Sequence, residues 1–279
     1  MNSTMKNEVT QEVTKLAKAT SQNKVATKAD VSSATISQII NNNHDLISDE
    51  MWRRIKSNLN ISTGWKIAPT KNLKGLTSLL ESAQNRQLSI AIAYNAGAGK
   101  TSAYRLFSRT NPNVIYIECK NYWSKKSYVK NLLKACGLKP YGTTEEMIED
   151  FIDHVKSLEA PIVVIDQFDK LKDPSLDLFM DFYNDLEDSC AFVVSGVPAL
   201  EKRVVRGVQH DKIGYRELYS RIGRKFIKLD PINLADVALI CKSNGVESLE
   251  HIKFIYNSCE GDIRRVRKEI ERIHLLNAN

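Results

Sequence analysis

The stretch "SIAIAYNAGAGKTSAY", residues 89–104, places Gly97, Gly99, Lys100 and Thr101 in the order GxGKT between an apolar run and an amphipathic one. Glycines at those places let backbone N–H groups turn inward as an anion nest, the lysine reaches outer phosphates, and the threonine hydroxyl holds Mg²⁺. The expected phosphate loop is therefore Asn95, Ala96, Gly97, Ala98, Gly99, Lys100, Thr101 and Ser102, and the expected ligands are ATP and Mg²⁺. Its first conserved glycine is replaced by Tyr94, which falls at the strand end and outside the nest.

A metal held this way needs a second carboxylate at the end of another strand, and "PIVVIDQFDKL" supplies Asp166. Thr101 and Asp166 are the expected metal pair. The next residue is Gln167, where ATPases of this class usually carry glutamate. A neutral amide can orient water but cannot take its proton. Binding of ATP is expected to persist and hydrolysis to be slow, unless Asp169 or a neighbouring subunit supplies the missing base.

These residues require a buried parallel sheet. Apolar runs at 88–94, 113–119, 161–167, 190–196 and 225–230 alternate with helical patterns, which predicts a doubly wound α/β domain with five strands. Beyond Pro231 only helical patterns follow. Residues 1–60 carry regularly spaced aliphatics without a strand pattern, and "STGWKIAPTKN" breaks the periodicity. The expected organisation is a helical unit at 1–60, a linker at 61–75, an ATPase core at 76–230 and a helical lid at 231–279.

Composition narrows the class. A chain of 279 residues with 42% hydrophobic content can bury a full core. It has no apolar run long enough for a membrane span and no signal-peptide pattern, so a cytoplasmic protein with no membrane partner is expected. Five cysteines without a CxxC pair argue against a disulfide framework or a zinc site. Residues 145–188 hold fourteen acids and three bases, eleven net negative charges, so the rest of the chain carries eighteen positive within the overall +7. A polyanionic partner fits that asymmetry.

The order of parts resembles an AAA+ ATPase, and within that class the Mu B type of DNA transposition protein and the related TnsC regulators. The resemblance spans nearly the whole chain. It implies a γ-phosphate sensor at the end of the fourth strand, where Ser195 stands, although the family's polar position after the glycine is Val197 here. It implies an arginine finger before the fifth strand, with Arg221 the choice among Arg216, Arg221 and Arg224, and a lid arginine at Arg264, with Arg265 the alternative. It also implies self-association into a ring or helical filament on double-stranded DNA, which is then delivered to a transposase. Hydrolysis would act as a release clock.

Two segments fit DNA directly. In "QNKVATKADVSSATISQIINN", residues 22–42, Ala26, Val31, Ile36 and Ile39 have helix-turn-helix spacing, with Asp30 where the turn usually has glycine and Ser32 as N-cap. Ser33, Thr35, Gln38 and Asn41 would then face outward. In "CKNYWSKKSYVKNLLK", residues 119–134, lysines are interleaved with Tyr122, Trp123 and Tyr128, which equally fit packing against the sheet. The resemblance points to Lys120, Lys125 and Lys126, then Thr143 and Thr144, as DNA contacts. Two other readings fit the same parts: a helix-turn-helix transcription regulator with an ATPase switch, and a helicase-loader or initiator-type ATPase.

Overall fold

The computed structural model describes residues 1–277. Four helices open the chain: α1 (Ser3–Ala19), α2 (Gln22–Ala29), α3 (Ser33–Ile40) and α4 (Asp49–Asn58). Asn2, Ser21, Ser32 and Ser48 cap them, each accepting an N–H three residues on, which satisfies a donor that the helix start leaves free. Val9, Val13, Val25, Ile36, Trp52 and Ile55 close a core of their own. Between α2 and α3 the chain turns at Asp30, whose φ of 57° is left-handed, as its position in the turn requires.

A strap follows. Trp65 and Ala68 pack into the lid, and Lys66 and Asn244 exchange backbone and side-chain hydrogen bonds at 2.9 and 3.1 Å. Thr70 caps α5 (Lys71–Arg86), so the helix begins inside the stretch expected as linker. The strap's polar, periodicity-breaking composition suits a segment docked through a few side chains and backbone hydrogen bonds and not through a continuous apolar face.

The sheet has five parallel strands in the order β2 (Val114–Glu118), β3 (Ile162–Asp166), β4 (Ala191–Gly196), β1 (Ile90–Ala93), β5 (Phe226–Ile227). Every residue of β3 and β4 is buried, which is why their sequences are continuously apolar. One face is covered by α5 and α6 (Lys100–Thr110) through Leu76, Leu80, Tyr104 and Phe107. The other carries α7 (Lys125–Cys136), α8 (Thr144–Lys156), α9 (Asp173–Leu186), α10 (Pro198–Gln209) and α11 (Tyr215–Arg221). The helices α10, of twelve residues, and α11, of seven, meet where Gly207 leaves room for the Tyr215 ring.

The lid is α12 (Leu234–Ser243), α13 (Leu249–Cys259) and α14 (Ile263–Asn277), closed around Val237, Ile240, Ile255 and Val266. All five cysteines are buried and free. Among the described residues no helix is long and apolar enough to cross a membrane.

Candidate nucleotide site and adjoining cationic cleft

The phosphate loop leaves the carboxyl end of β1, the edge at which open parallel sheets bind ligands. The Tyr94 N–H donates to the Gly196 carbonyl at 3.3 Å, one rung beyond the β1–β4 ladder. Tyr94 therefore stands directly after β1, at the end of the strand and before the two glycines of the loop. Gly97 and Gly99 hold φ at 80° and 91°, the left-handed values that glycine adopts without strain. Asn95, Ala96 and Ser102 are exposed around the nest, and Ala98 is buried beneath it.

Lys100 is the first residue of α6 and is 8% exposed. Its Nζ donates to the carbonyls of Tyr94 and Asn95 at 2.6 and 2.9 Å. Burial pulls its pKa down, and Asp166 and Asp169 oppose that. A buried ammonium held only by neutral carbonyls is matched to an arriving phosphate, whose charged oxygens are stronger acceptors.

At the end of β3 the Asp166 carboxylate is 1% exposed. It accepts the Thr101 hydroxyl at 2.6 Å and the Gln167 N–H at 2.9 Å. Burial raises its pKa, against these hydrogen bonds. Threonine hydroxyl and carboxylate thus stand side by side, and their oxygen donors fit a hard cation such as Mg²⁺. These two residues would hold the metal, which supplies charge for the phosphate oxygens.

Gln167 stands at φ 56°. Its side-chain amide donates to Glu118 Oε1 at 2.8 Å, and its carbonyl accepts Lys170 Nζ. Asp169 is turned toward β4: its Oδ1 accepts the Val197 N–H at 3.3 Å and lies against Gly196, at the end of that strand. Ser195 is fully buried and accepts the Tyr104 hydroxyl at 2.9 Å on the α5–α6 side of the sheet, so the expected sensor hydroxyl has a partner inside the core.

The lid reaches the loop. The Ile263 N–H donates to the Gly97 carbonyl at 2.9 Å, and the Asp262 carboxylate occupies the space a Cβ on Gly97 would need. Arg264 is paired with that carboxylate at 2.9 and 3.1 Å and lies close enough to Lys100 to depress its pKa. Arg265 instead pairs with Glu260 at 2.8 Å, so of the two lid arginines Arg264 is the one beside the loop.

Arg221 lies over the Tyr183 ring, 5.1 Å from its centroid, and bonds Asn184 and Glu217 at 2.9 and 3.3 Å. It is held within its own subunit. Arg216 pairs with Asp211 at 2.5 Å, whereas Arg224, at φ 54°, is exposed and has no ion-pair partner among the described residues.

Beside the nucleotide site a cleft of about 720 Å³ opens between the N-terminal helices and α7, lined by Lys28, Arg105, Arg109, Lys120, Lys130 and Lys134. Arg109, on α6, ties the N-terminal unit to the sheet domain by donating to the carbonyls of Leu59, at 3.2 Å, and Asn60. Burial lowers the pKa of Lys28. Lys120 faces the cleft, while Lys125 and Lys126 are exposed on the first turn of α7 outside it. Trp123 and Tyr128 pack into the core and only Tyr122 is exposed, so the aromatic residues form no platform.

Thr143 caps α8 in a reciprocal pair with Glu146, which occupies its hydroxyl, and Thr144 follows as the first helical residue. In the N-terminal unit Ser33 is exposed and Gln38 half-buried. Thr35, expected to face outward, is buried with its hydroxyl against that of Ser32 at 2.9 Å. The i and i+3 capping geometry turns it inward.

Residues 83–204 match a family described as AAA domain. Over those residues the chain is thus similar to AAA domains, and it has a five-stranded parallel sheet followed by a helical C-terminal region. Among solved structures it resembles the Aeropyrum pernix ORC1 protein in complex with DNA, with a TM-score of 0.55 at 15% identity over 75% of this chain and 60% of that one. It also resembles AMPPCP-bound DnaA from Aquifex aeolicus, with a TM-score of 0.53 at 15% identity over 75% of this chain and 63% of that one. A DNA replication initiation factor gives a TM-score of 0.50 at 15% identity over 74% and 62%. The chain spans about 60% of the length of these proteins, and at such identity the likeness is one of fold. No curated protein sequence matches the chain.

Proposed function

We propose that this protein is an ATP-dependent duplex-DNA-binding ATPase of the initiator or helicase-loader kind. ATP and Mg²⁺ occupy the loop at residues 95–102 with Lys100, Thr101 and Asp166, and Arg264 reports the phosphates to the lid. DNA lies along the cationic cleft, largely through its phosphates and hence with little sequence preference. Arg224, unpaired and exposed, is a better donor to a neighbouring subunit's nucleotide than the internally bonded Arg221.

The observation that carries this reading is that cleft and nucleotide site share a wall. Lys120 faces the cleft and donates to Glu118 at 3.1 Å, and the same carboxylate accepts from Gln167 beside Asp166. A phosphate that draws Lys120 away changes the hydrogen bonding of Gln167. The fold likeness to ORC1 and DnaA supports the initiator reading. Delivery of target DNA to a transposase, from a ring or filament, is the second reading, favoured by the order of N-terminal helical unit, ATPase core and lid.

Anisotropy of a labelled, arbitrary duplex tests the proposal. Tight binding with a non-hydrolysable ATP analogue and weaker binding with ADP are expected. Affinity that ignores the nucleotide contradicts it. Co-purification with a replicative helicase or with a transposase separates the two readings. Deleting residues 1–60 addresses the regulator reading, since that deletion should weaken, not abolish, ATP-dependent binding to arbitrary duplex.

A further inference from the structure

Glu118 stands at the carboxyl end of β2, directly opposite Asp166 in the β2–β3 register. An acid closing an otherwise apolar strand invites a question about its use. It is not spent on a single surface ion pair. Arg105 donates to Oε2 at 2.6 Å, Tyr116 to the same oxygen at 3.4 Å, Lys120 to Oε1 at 3.1 Å and Gln167 to Oε1 at 2.8 Å. Burial works to raise its pKa, but the hydrogen bonds from Lys120 and Arg105 outweigh it and hold the group below the usual carboxylate range. It is therefore an oriented, half-buried and ionised carboxylate at neutral pH, close enough to Asp166 to raise that residue's pKa.

Three carboxylates border the phosphate loop from β2 and β3. Asp166 is committed to Thr101 and to the Gln167 N–H, as the metal pair requires. Asp169 is turned to the end of β4. Glu118 remains, joined to the amide that replaces the usual glutamate.

Resting on the ATPase reading above, we infer that Glu118 is the catalytic base of this site: the carboxylate missing from position 167 is supplied from the neighbouring strand, and Gln167, bonded directly to it, orients the attacking water beside the pair. The attacking water loses one proton to Glu118 as its oxygen bonds the terminal phosphorus. The bond from that phosphorus to the bridging oxygen breaks, ADP and inorganic phosphate leave, and Glu118 returns its proton to solvent. No other reactant is needed. Gln167 meets both demands, since its amide nitrogen holds Glu118 while its second N–H remains to be placed on water.

The test exchanges the two groups in the full-length protein, with fluorescent-ATP titration beside single-turnover hydrolysis on DNA. Glu118→Gln should slow hydrolysis by about 100-fold with ATP affinity within roughly threefold of the parent. The exchanged pair, Glu118→Gln with Gln167→Glu, should recover at least about tenfold of that loss, because a carboxylate again stands beside the water. Because a glutamate at position 167 is the usual base, Gln167→Glu alone is the reference: it should raise turnover by less than about threefold if Glu118 already serves, and by about tenfold or more if Glu118 is merely structural.

Hydrolysis by Glu118→Gln at the parental rate overturns the inference, and so does an exchanged pair as slow as the single variant. Should Glu118→Gln not fold, Glu118→Asp carries the test: it keeps the charge but shortens the reach, so it should slow hydrolysis and leave ATP affinity unchanged, and parental turnover would contradict the role. A parent protein that binds no ATP defeats the ATPase reading itself, an outcome separate from any of these.

Discussion

The backbone N–H of Ile263, the first residue of the last lid helix, donates to the carbonyl of Gly97 in the middle of the phosphate loop at 2.9 Å. Lid and loop are thereby one mechanical unit, with the Asp262 carboxylate filling the space above Gly97. Gly97→Ala meets both a left-handed φ of 80° and that carboxylate. It should reduce ATP affinity by at least about tenfold and loosen the lid, the strained backbone alone being worth roughly 1–2 kcal/mol. Nucleotide titration and hydrogen exchange across α14 read the two effects, and parental behaviour in both would count against the coupling.

Arg264→Ala separates lid contact from phosphate sensing. The arginine is exposed and bonded only to Asp262, so its loss should leave the melting temperature unchanged within about 2 °C. ATP affinity should nevertheless fall by about tenfold, the worth of one charge-assisted contact, while Arg265→Ala should do neither. Equal effects from the two substitutions would remove the distinction.

Asp166 is predicted to be a destabilising residue kept for its chemistry. Folding raises its pKa, so above the raised value the folded state must hold a buried charge that the unfolded chain carries in water. That penalty shrinks as the pH falls below the raised value and is gone below the unfolded value of about 3.9. Asp166→Asn should raise the melting temperature of the nucleotide-free protein at neutral pH and abolish the Mg²⁺ dependence of ATP binding. A lower melting temperature with Mg²⁺ dependence intact would reverse the assignment.

Asp173 has the opposite sign. It accepts from Lys212, Arg203 and Tyr215, and these bonds hold its carboxyl well below the usual range. The stabilisation is complete above the unfolded pKa of about 3.9 and is lost as the pH falls through the lower folded value. Urea midpoints of the parent and Asp173→Asn should differ at neutral pH and converge in strong acid. A gap that persists below about pH 2 would show that the residue acts by shape alone.

How much of this was legible in the sequence depended on how local each feature is. The strands could be read because burial on both faces makes them continuously apolar, and the loop because GxGKT concentrates its chemistry in a few adjacent residues. Tyr94 and Gln167 were visible as departures, yet their consequences were not. The meaning of Gln167 depends on Glu118, forty-nine residues away, and the pairing exists only once β2 and β3 lie in register. Likewise Ser195 has the right place in its strand, but its hydroxyl bonds Tyr104 on another element, a pairing that nothing local in the sequence announces. The cationic cleft was read only from its α7 wall. Lys28 and Arg109 had no sequence signal of their own, because nothing local says that the N-terminal helices dock there.

The central claim is that nucleotide state at Lys100, Thr101 and Asp166 governs DNA held in the cleft. Its most direct measurement is the affinity for an arbitrary duplex with a non-hydrolysable ATP analogue or ADP, in the parent and in Lys130→Glu with Lys134→Glu. The account predicts tight, salt-sensitive binding only with the ATP analogue, lost by at least about tenfold in the charge-reversed protein while its ATP affinity is unchanged. Equal DNA affinity with ATP analogue and ADP, or an unaffected double variant, would contradict it.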